Sequence, residues 1–297
     1  MSRHVAVTGG SGKLGRAVVD DLAAHGWLVH SFDIAAPRRL PPGASFTRID
    51  LTDLGQVVEA FHGIDELHDG VDAVVHLAAI PGATHSGNAH TFVNNITSTF
   101  HVFTAAGIAG VSRVVWASSE TLLGYPFTTP PLYVPLDEDL PPQGNVAYSQ
   151  AKACEEELAR QLARVHLDRT YVGLRFSNVM EPSDYQAFPD FENDIRSRKW
   201  NLWGYIDARD AAVATRLALD ANVTGASVYN IAAADTVLSR PSLEALEAVF
   251  PGTPVHGQVT GTCSLTSTER ARSVLGFEPV HQWRDELRPS PGASAPA

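Results

Sequence analysis

The stretch Thr8-Gly9-Gly10-Ser11-Gly12-Lys13-Leu14-Gly15 follows a short apolar run, Val5-Ala6-Val7, and leads into Leu14, Val18, Val19 and Leu22 at helical spacing. A strand, a glycine-rich turn and a helix in that order bring bare backbone to a helix N-terminus. The first-turn N–H groups there lack intrahelical acceptors, and the helix dipole is positive at that end. Such a terminus holds anions. The glycines satisfy G-x-G-x-x-G through Gly10, Gly12 and Gly15, and G-x-x-G-x-x-G through Gly9, Gly12 and Gly15. Either spacing lets the backbone approach a pyrophosphate closely.

Outward from this turn the chain alternates strand-like and helix-like patterns. Trp27 to Phe32 reads as a second strand that ends at Asp33. Ala73 to Leu77 and Val114 to Ala117 read as further strands, with a long helical pattern between about Ala89 and Ala109. A helix over Ala147 to Val165 precedes a strand at Thr170 to Leu174. Short apolar runs alternating with helices predict a parallel, doubly wound α/β sheet. After Arg175 the pattern turns irregular. Glu181 to Lys199, rich in Pro, Asp and aromatics, suits a substrate-facing loop. A helix near Arg209 to Asp220 and a strand near Val228 to Ile231 are expected to rejoin the main sheet. The expected division is residues 1–174 as a nucleotide-binding domain, 175–287 as a small interleaved substrate lobe, and 288–297 as a disordered tail.

Composition narrows the function. The chain has 297 residues, 22 Lys+Arg against 33 Asp+Glu, and a net charge of −11. Without basic clusters to neutralise phosphates, nucleic acid is not an expected partner. The stretch from Ala73 to Ser112 has no charged residue, but Pro81, Gly82 and several His, Asn and Thr break it, so no membrane span is expected. Two cysteines suit a reducing compartment and point to the cytoplasm. The twelve histidines lack metal-ligand spacing, so no metal site is expected.

Asp33 can accept hydrogen bonds from ribose hydroxyls and repels a 2′-phosphate, which favours NAD over NADP. Arg38 and Arg39 keep NADP possible. Asp50 and Leu51 can contact an adenine. Further on, Tyr148 and Lys152 share a helix face at i and i+4. A lysine beside a tyrosine favours the phenolate and makes it a usable acid/base. Ser118 and Ser119 lie at the carboxyl end of the Val114–Ala117 strand, where open α/β sheets place ligands. A hydroxyl there can orient a substrate oxygen.

Taken together, these segments resemble the extended short-chain dehydrogenase/reductase family, also called the NAD-dependent epimerase/dehydratase family. The matching residues are Thr8 to Gly15, Asp33, Asp50-Leu51, His76-Leu77-Ala78-Ala79, Asn95, Ser118-Ser119 with Gly124, Tyr148 with Lys152, Leu174 to Val179, and Gly204 to Asp210. The resemblance spans nearly the whole chain. It implies a Rossmann-type fold, NAD(P) binding and hydride transfer at a Ser119–Tyr148–Lys152 centre, with Ser118 as the fallback serine. The cofactor residues it implies are Gly9, Gly12, Lys13, Leu14, Gly15, Asp33, Asp50, Leu51, Leu77, Ala78, Ala79, Asn95, Tyr148 and Lys152. It also implies a homodimer built on the two long helices.

The family's sugar-nucleotide epimerases and dehydratases share this centre with its simple dehydrogenases. Its sugar-nucleotide members carry Tyr-Gly-Pro after the Asn-Val pair and then a long insertion. Here Asn178-Val179 runs into Met180-Glu181-Pro182-Ser183, and Trp203-Gly204 follows soon after, with Arg196, Arg198 and Lys199 as the cations between. A small, unactivated substrate is therefore expected. Ala117 to Tyr125, and Glu181-Pro182 with Tyr185, are similar to uronate dehydrogenases. Gln186 stands where their carboxylate-binding arginine is expected, which loses a bidentate grip on a carboxylate. Neutral aldoses and other small alcohols or ketones remain open, with Ser118, Asn178 and Gln186 as candidate substrate contacts. A non-catalytic, cofactor-binding sensor is the other alternative. Glu155-Glu156-Glu157 reads as a solvated helix face.

Overall fold

The computed structural model describes residues 3–82 and 85–287; the expected disordered tail at 288–297 lies outside them. Seven strands, β1 (Arg3–Thr8), β2 (Trp27–Asp33), β3 (Ala44–Arg48), β4 (Ala73–His76), β5 (Arg113–Ser119), β6 (Thr170–Phe176) and a later one at Gly225–Ile231, form one sheet. Strand β6 is buried at every residue, as the apolar run requires of a strand covered on both faces. The intervening helices are α1 (Lys13–Ala24), α2 (Leu54–His62), α3 (Asn88–Ile108) and α4 (Ala147–Val165). A small two-stranded sheet pairs β7 (Val179–Met180) with β8 (Ile206–Asp207), and α5 (Ala208–Asp220) and β9 (Gly225–Ile231) return to the main sheet. Helices α6 (Ser242–Val249), α7 (Glu269–Leu275) and α8 (Trp283–Glu286) follow.

The strand order is β3-β2-β1-β4-β5-β6-β9, with every neighbouring pair parallel. The chain winds outward from β1 to β3, then crosses back to β4. That reversal opens a crevice at the carboxyl ends of β1 and β4, where ligands bind in sheets of this kind. Alternate strand residues feed two cores. Val5, Val7 and Val75 pack with α1, α5 and α7, whereas Ala6, Val74 and Trp116 pack with α2, α3 and α4. Helix α2, absent from the sequence-based expectation, starts where Asp53 accepts hydrogen bonds from Gly55 N and Gln56 N.

A third core draws on segments from both sides of the expected boundary at 174/175. It joins Tyr125, Phe127, Tyr185, Phe188, Trp203, Tyr205, Leu246 and Trp283. The aromatics of the irregular segment are thus mostly packing residues. Pro182–Glu192 is a run of helical turns that packs inward through Tyr185 and Phe188.

At the opposite, amino edge of the sheet three imidazoles meet. His4 Nδ1 lies 3.0 Å from His30 Nε2, and the His30 and His68 rings are 4.0 Å apart. Burial, then the neighbouring His68 and His4, push His30 down to about 4; burial lowers His68 as well. Unfolded histidines titrate near 6.5, so the unfolded chain takes up protons that the fold refuses. The stability held above that value should be lost as pH falls toward 4. Chemical denaturation at about pH 7.5 and about pH 5 should show this loss, and a smaller one in His30→Asn. Equal losses would place the titration elsewhere.

Candidate active site

Strand β1 ends at Thr8 and the chain turns at Gly9, whose φ of +74° favours glycine. A Cβ there would lie 2.6 Å from Ala78 N, so backbone from the β1 and β4 loops meets with no room for a side chain. Gly9 N donates to Phe32 O at 2.8 Å, and Gly12 N donates to Gly9 O at 3.1 Å. Gly15 lies in the first turn of α1, where a Cβ would run into Gly9 O. Gly12 starts α1 without a side-chain cap, which leaves first-turn amides, those of Lys13 and Leu14 among them, for a ligand.

Beside this turn a cleft of about 520 Å³ opens at the strand-order reversal. It brings together Gly9, Gly12, Asp33, Asp50, Leu51 and the Leu77-Ala78-Ala79 segment. Asp33 accepts from Ser11 N at 3.0 Å and Ala35 N at 3.1 Å, and its carboxylate has further lone pairs for ribose hydroxyls. The bare cradle, the cleft volume and the carboxylate at its rim fit a dinucleotide. The Lys13 ammonium faces Asp184 at 2.6 Å, and the Leu14 side chain packs against the sheet core, so these two offer the cleft their backbone only. Arg39 is paired with Asp20 at 2.5 Å.

Asn95 is buried. It accepts from Ile80 N at 2.8 Å and donates to Ile80 O at 3.0 Å, fixing the loop after β4. From the same helix, His90, Asn94 and Ser98 line the cleft. Their i, i+4, i+8 spacing marks the face of α3 toward the cleft, and Asn95, one residue on from Asn94, is turned to the loop.

Helix α4 begins where Ser149 Oγ accepts from Val146 N at 3.0 Å, which puts Tyr148 in its first turn. Tyr148, Lys152, Glu155 and Glu156 follow at i, i+4, i+7 and i+8 and form one stripe. Burial raises the Tyr148 phenol above its ordinary value. Lys152 and the Ser119 hydroxyl pull it down, and Glu155 and Glu120 add to the rise. Lys152 Nζ lies 5.8 Å from the Tyr148 ring centroid. Burial works against the charge on Lys152, but Glu155, 2.8 Å away, together with Tyr148 and Glu156, outweighs it and holds the ammonium above its ordinary value.

The expected solvated face at Glu155-Glu156-Glu157 holds only for Glu157. Glu155 and Glu156 are 0% and 1% exposed. Glu156 receives Arg175 Nε and Nη2, each at 2.8 Å, and Ser118 Oγ at 2.6 Å. Helical position placed these carboxylates on the sheet side of α4, and internal cations made that burial tolerable.

Ser118 and Ser119 project to opposite faces of β5, as strand alternation demands. Ser118 donates its hydroxyl to Glu156. Ser119 Oγ accepts from Thr121 N at 3.2 Å and Thr121 Oγ1 at 3.0 Å, so its own proton is free to be donated toward the phenol or a substrate oxygen. His76 stays neutral, pushed to about 3 by burial and then by Lys152, between Thr8 at 2.7 Å and Thr99 at 3.0 Å. Asn178 O accepts from Ile206 N at 3.1 Å, which ties β7 to β8. Gln186 is exposed, while Tyr185 is buried and donates to Asp207.

Glu120, which carried no sequence signal of its own, is buried beside Ser119. Burial pushes it up to about 7, and it accepts from Asn201 Nδ2 at 3.3 Å.

Asp33→Ala should weaken NAD binding by about ten- to a hundredfold, the worth of hydrogen bonds to a carboxylate, and narrow any preference over NADP. Titration calorimetry of both nucleotides checks this; unchanged affinities would remove Asp33 from the cofactor site.

The family model described as the NAD dependent epimerase/dehydratase family matches residues 5–232. Over 295 aligned residues the chain is 26% identical to an NAD-dependent glucose-6-phosphate dehydrogenase of Haloferax volcanii, with 94% of each chain covered. A solved UDP-galactose 4-epimerase is 25% identical with a TM-score of 0.68, over 95% of both chains. A mutated uronate dehydrogenase shares the fold at 21% identity and a TM-score of 0.67, over 97% of this chain and 86% of that one. With the family model covering well over half of its length, the chain belongs to the NAD-dependent epimerase/dehydratase family.

Proposed function

We propose that the protein is an NAD-dependent dehydrogenase that oxidises a hydroxyl of a small free sugar or related alcohol. The convergence of Ser119, Tyr148 and Lys152 at the carboxyl edge of the sheet supports hydride chemistry, and the uncharged surroundings described below carry the choice of a small free substrate. In the oxidative direction, the Tyr148 phenolate takes the substrate's hydroxyl proton. Ser119 donates its free proton to the same oxygen and holds it against the phenol. Lys152 supplies the positive charge that favours the phenolate and would also hold the cofactor's ribose. NAD, which the Gly9–Gly15 turn and Asp33 would hold, would supply the two-electron acceptor for the hydride on the carbinol carbon. The intact Ser, Tyr and Lys argue against a non-catalytic sensor.

Two features favour a small substrate over a sugar nucleotide. The cations between β7 and β8 are turned to other work. Arg198 is 8% exposed with Nη2 on Gly204 O at 3.0 Å, Arg196 reaches Ala248 O, and Lys199 sits over the Phe250 ring. None is presented as a clamp for a diphosphate. The second is the lining of the cleft between the Gly124–Leu132 loop and Gln143, Asn145 and Val146, residues that shortly precede Tyr148 in the chain: it holds no charged residue to meet a diphosphate. With Gln186 neutral and exposed, a neutral aldose suits this surface better than a sugar acid.

The chain is further proposed to act as a homodimer through α3 and α4. Val93 and Phe100 are exposed apolar residues, and Ile96, Phe100 and Leu158 line a shallow hollow on the outer face of these helices. Among the described residues, no helix is long and apolar enough to cross a membrane.

Free neutral aldoses, hexuronates and UDP-sugars, each with NAD or NADP, should separate the alternatives. Reduced nicotinamide is expected with NAD and a free sugar, and Tyr148→Phe should lose at least about a hundredfold in kcat/KM. Interconversion of a UDP-sugar without net reduction would make the protein an epimerase. Sedimentation should give twice the 31.9 kDa chain mass, and Phe100→Glu the mass of one chain. A wild-type monomer would contradict the dimer.

A further inference from the structure

The stripe on α4 carries one buried carboxylate that the reaction above does not use. Glu155 is 0% exposed and its Oε2 lies 2.8 Å from Lys152 Nζ. Its Oε1 is buried without a hydrogen bond among the described residues. Glu156, next along the helix, is committed to Arg175, so Glu155 is the carboxylate in direct contact with the ammonium. Thr99 of α3 also faces the Glu155 carboxyl, and the Thr99 hydroxyl is anchored 3.0 Å from His76 Nε2.

This arrangement has two opposed consequences. A buried lysine without a counter-ion is driven to give up its proton, and Glu155 helps to hold Lys152 charged alongside Glu156 and the Tyr148 phenolate, both of which remain when Glu155 alone is neutralised. An anion in contact with the ammonium also turns a point charge into a dipole, which weakens its attraction for a phenolate nearby. We propose that Glu155 is a positioning residue of the catalytic pair: it fixes Lys152 and sets the pH at which Tyr148 gives up its proton. This rests on the assignment of Tyr148 and Lys152 to the reaction. The groups that face Tyr148 are Lys152 and Glu155 on its own helix and Ser119 and Glu120 from the turn after β5. Those that face Lys152 are Glu155, Glu156 and Tyr148 from α4 and neutral His76 from β4. Of the two carboxylates acting on the phenol, Glu155 is the one bound to the ammonium.

Glu155→Gln keeps the shape and removes the charge. In the ligand-free protein labelled with 13Cζ-tyrosine, the Tyr148 resonance, assigned by its loss in Tyr148→Phe, should titrate about one pH unit lower than in wild type. The alkaline-rising limb of kcat/KM should move by the same amount, so that below that limb the variant is up to about tenfold faster. Glu155→Asp keeps the charge and should titrate near the wild-type midpoint, even if turnover falls. An unmoved or raised Tyr148 midpoint in Glu155→Gln would overturn the proposal.

Should Glu155→Gln fail to fold, the apolar double replacement Lys152→Met/Glu155→Leu gives an independent answer. Its phenol should titrate at a clearly lower pH than in Lys152→Met alone, because the anion is gone as well. Equal midpoints in the two variants would show that Glu155 does not act on Tyr148. The phenol titration needs neither substrate nor cofactor. If Tyr148→Phe kept full turnover, the catalytic assignment would fail while the titration still tested Glu155. If Tyr148→Phe were inactive and the midpoint unmoved, the Glu155 assignment alone would fall.

Discussion

The buried pair between Glu156 and Arg175 ties three elements together. The carboxylate rides on α4, the guanidinium on β6, and Ser118 on β5 donates to the same carboxylate. All three side chains are nearly inaccessible to water. Removing one partner of such a pair leaves an uncompensated buried charge and costs about 3–5 kcal/mol. The pair therefore fixes both the height and the rotation of α4 against the sheet. Tyr148 and Lys152 lie eight and four residues earlier on the same stripe, so fixing Glu156 aims them at Ser119.

The cofactor side is governed by a different constraint, the close approach of backbone to backbone. Gly9 touches the Ala78 loop, and Gly15 packs under the Gly9 carbonyl. These contacts bring the β1 turn against the β4 loop at the place where the strand order reverses. The first-turn amides of α1 and the Asp33 carboxylate then face one cleft. One half of the site is thus built from absent side chains, and the other from buried charges that satisfy one another. Along α4 the same economy recurs: Lys152 has Glu155, Glu156 has Arg175, and both pairs lie in surroundings that disfavour an unpaired charge.

Much of this could be read from the chain, because its main signals are local. The apolar runs gave the strands, and the glycine spacing with Asp33 gave the cradle. The i, i+4 pair Tyr148 and Lys152, with the serine at a strand end, marked the proposed centre. Where the structure departs from the sequence pattern, adjacent residues of like type lie on different faces of one element. Glu155-Glu156-Glu157 looks like a solvated run, yet two of the three continue the stripe begun by Tyr148 and Lys152. Asn94 and Asn95 are adjacent, yet one faces the cleft and the other holds Ile80. Ser118 and Ser119 diverge for the same reason on a strand. The third core was harder to read, since it draws on Tyr125, Tyr185, Tyr205, Leu246 and Trp283, whose contacts no local period reveals. Helix α2 is nine residues long and includes Gly55, which left a weak periodic signal.

The central claim is that a hydride leaves a free sugar carbon for good, with Tyr148 taking the proton from its oxygen. Isotope transfer tests this most directly. A neutral aldose deuterated at every carbon would be incubated with NAD, and both products followed by mass spectrometry. The account predicts one deuterium in the released reduced nicotinamide and an oxidised sugar that has lost it. Every deuterium retained on the sugar, with no net reduction in a parallel UDP-sugar incubation that yields an epimer, would contradict it.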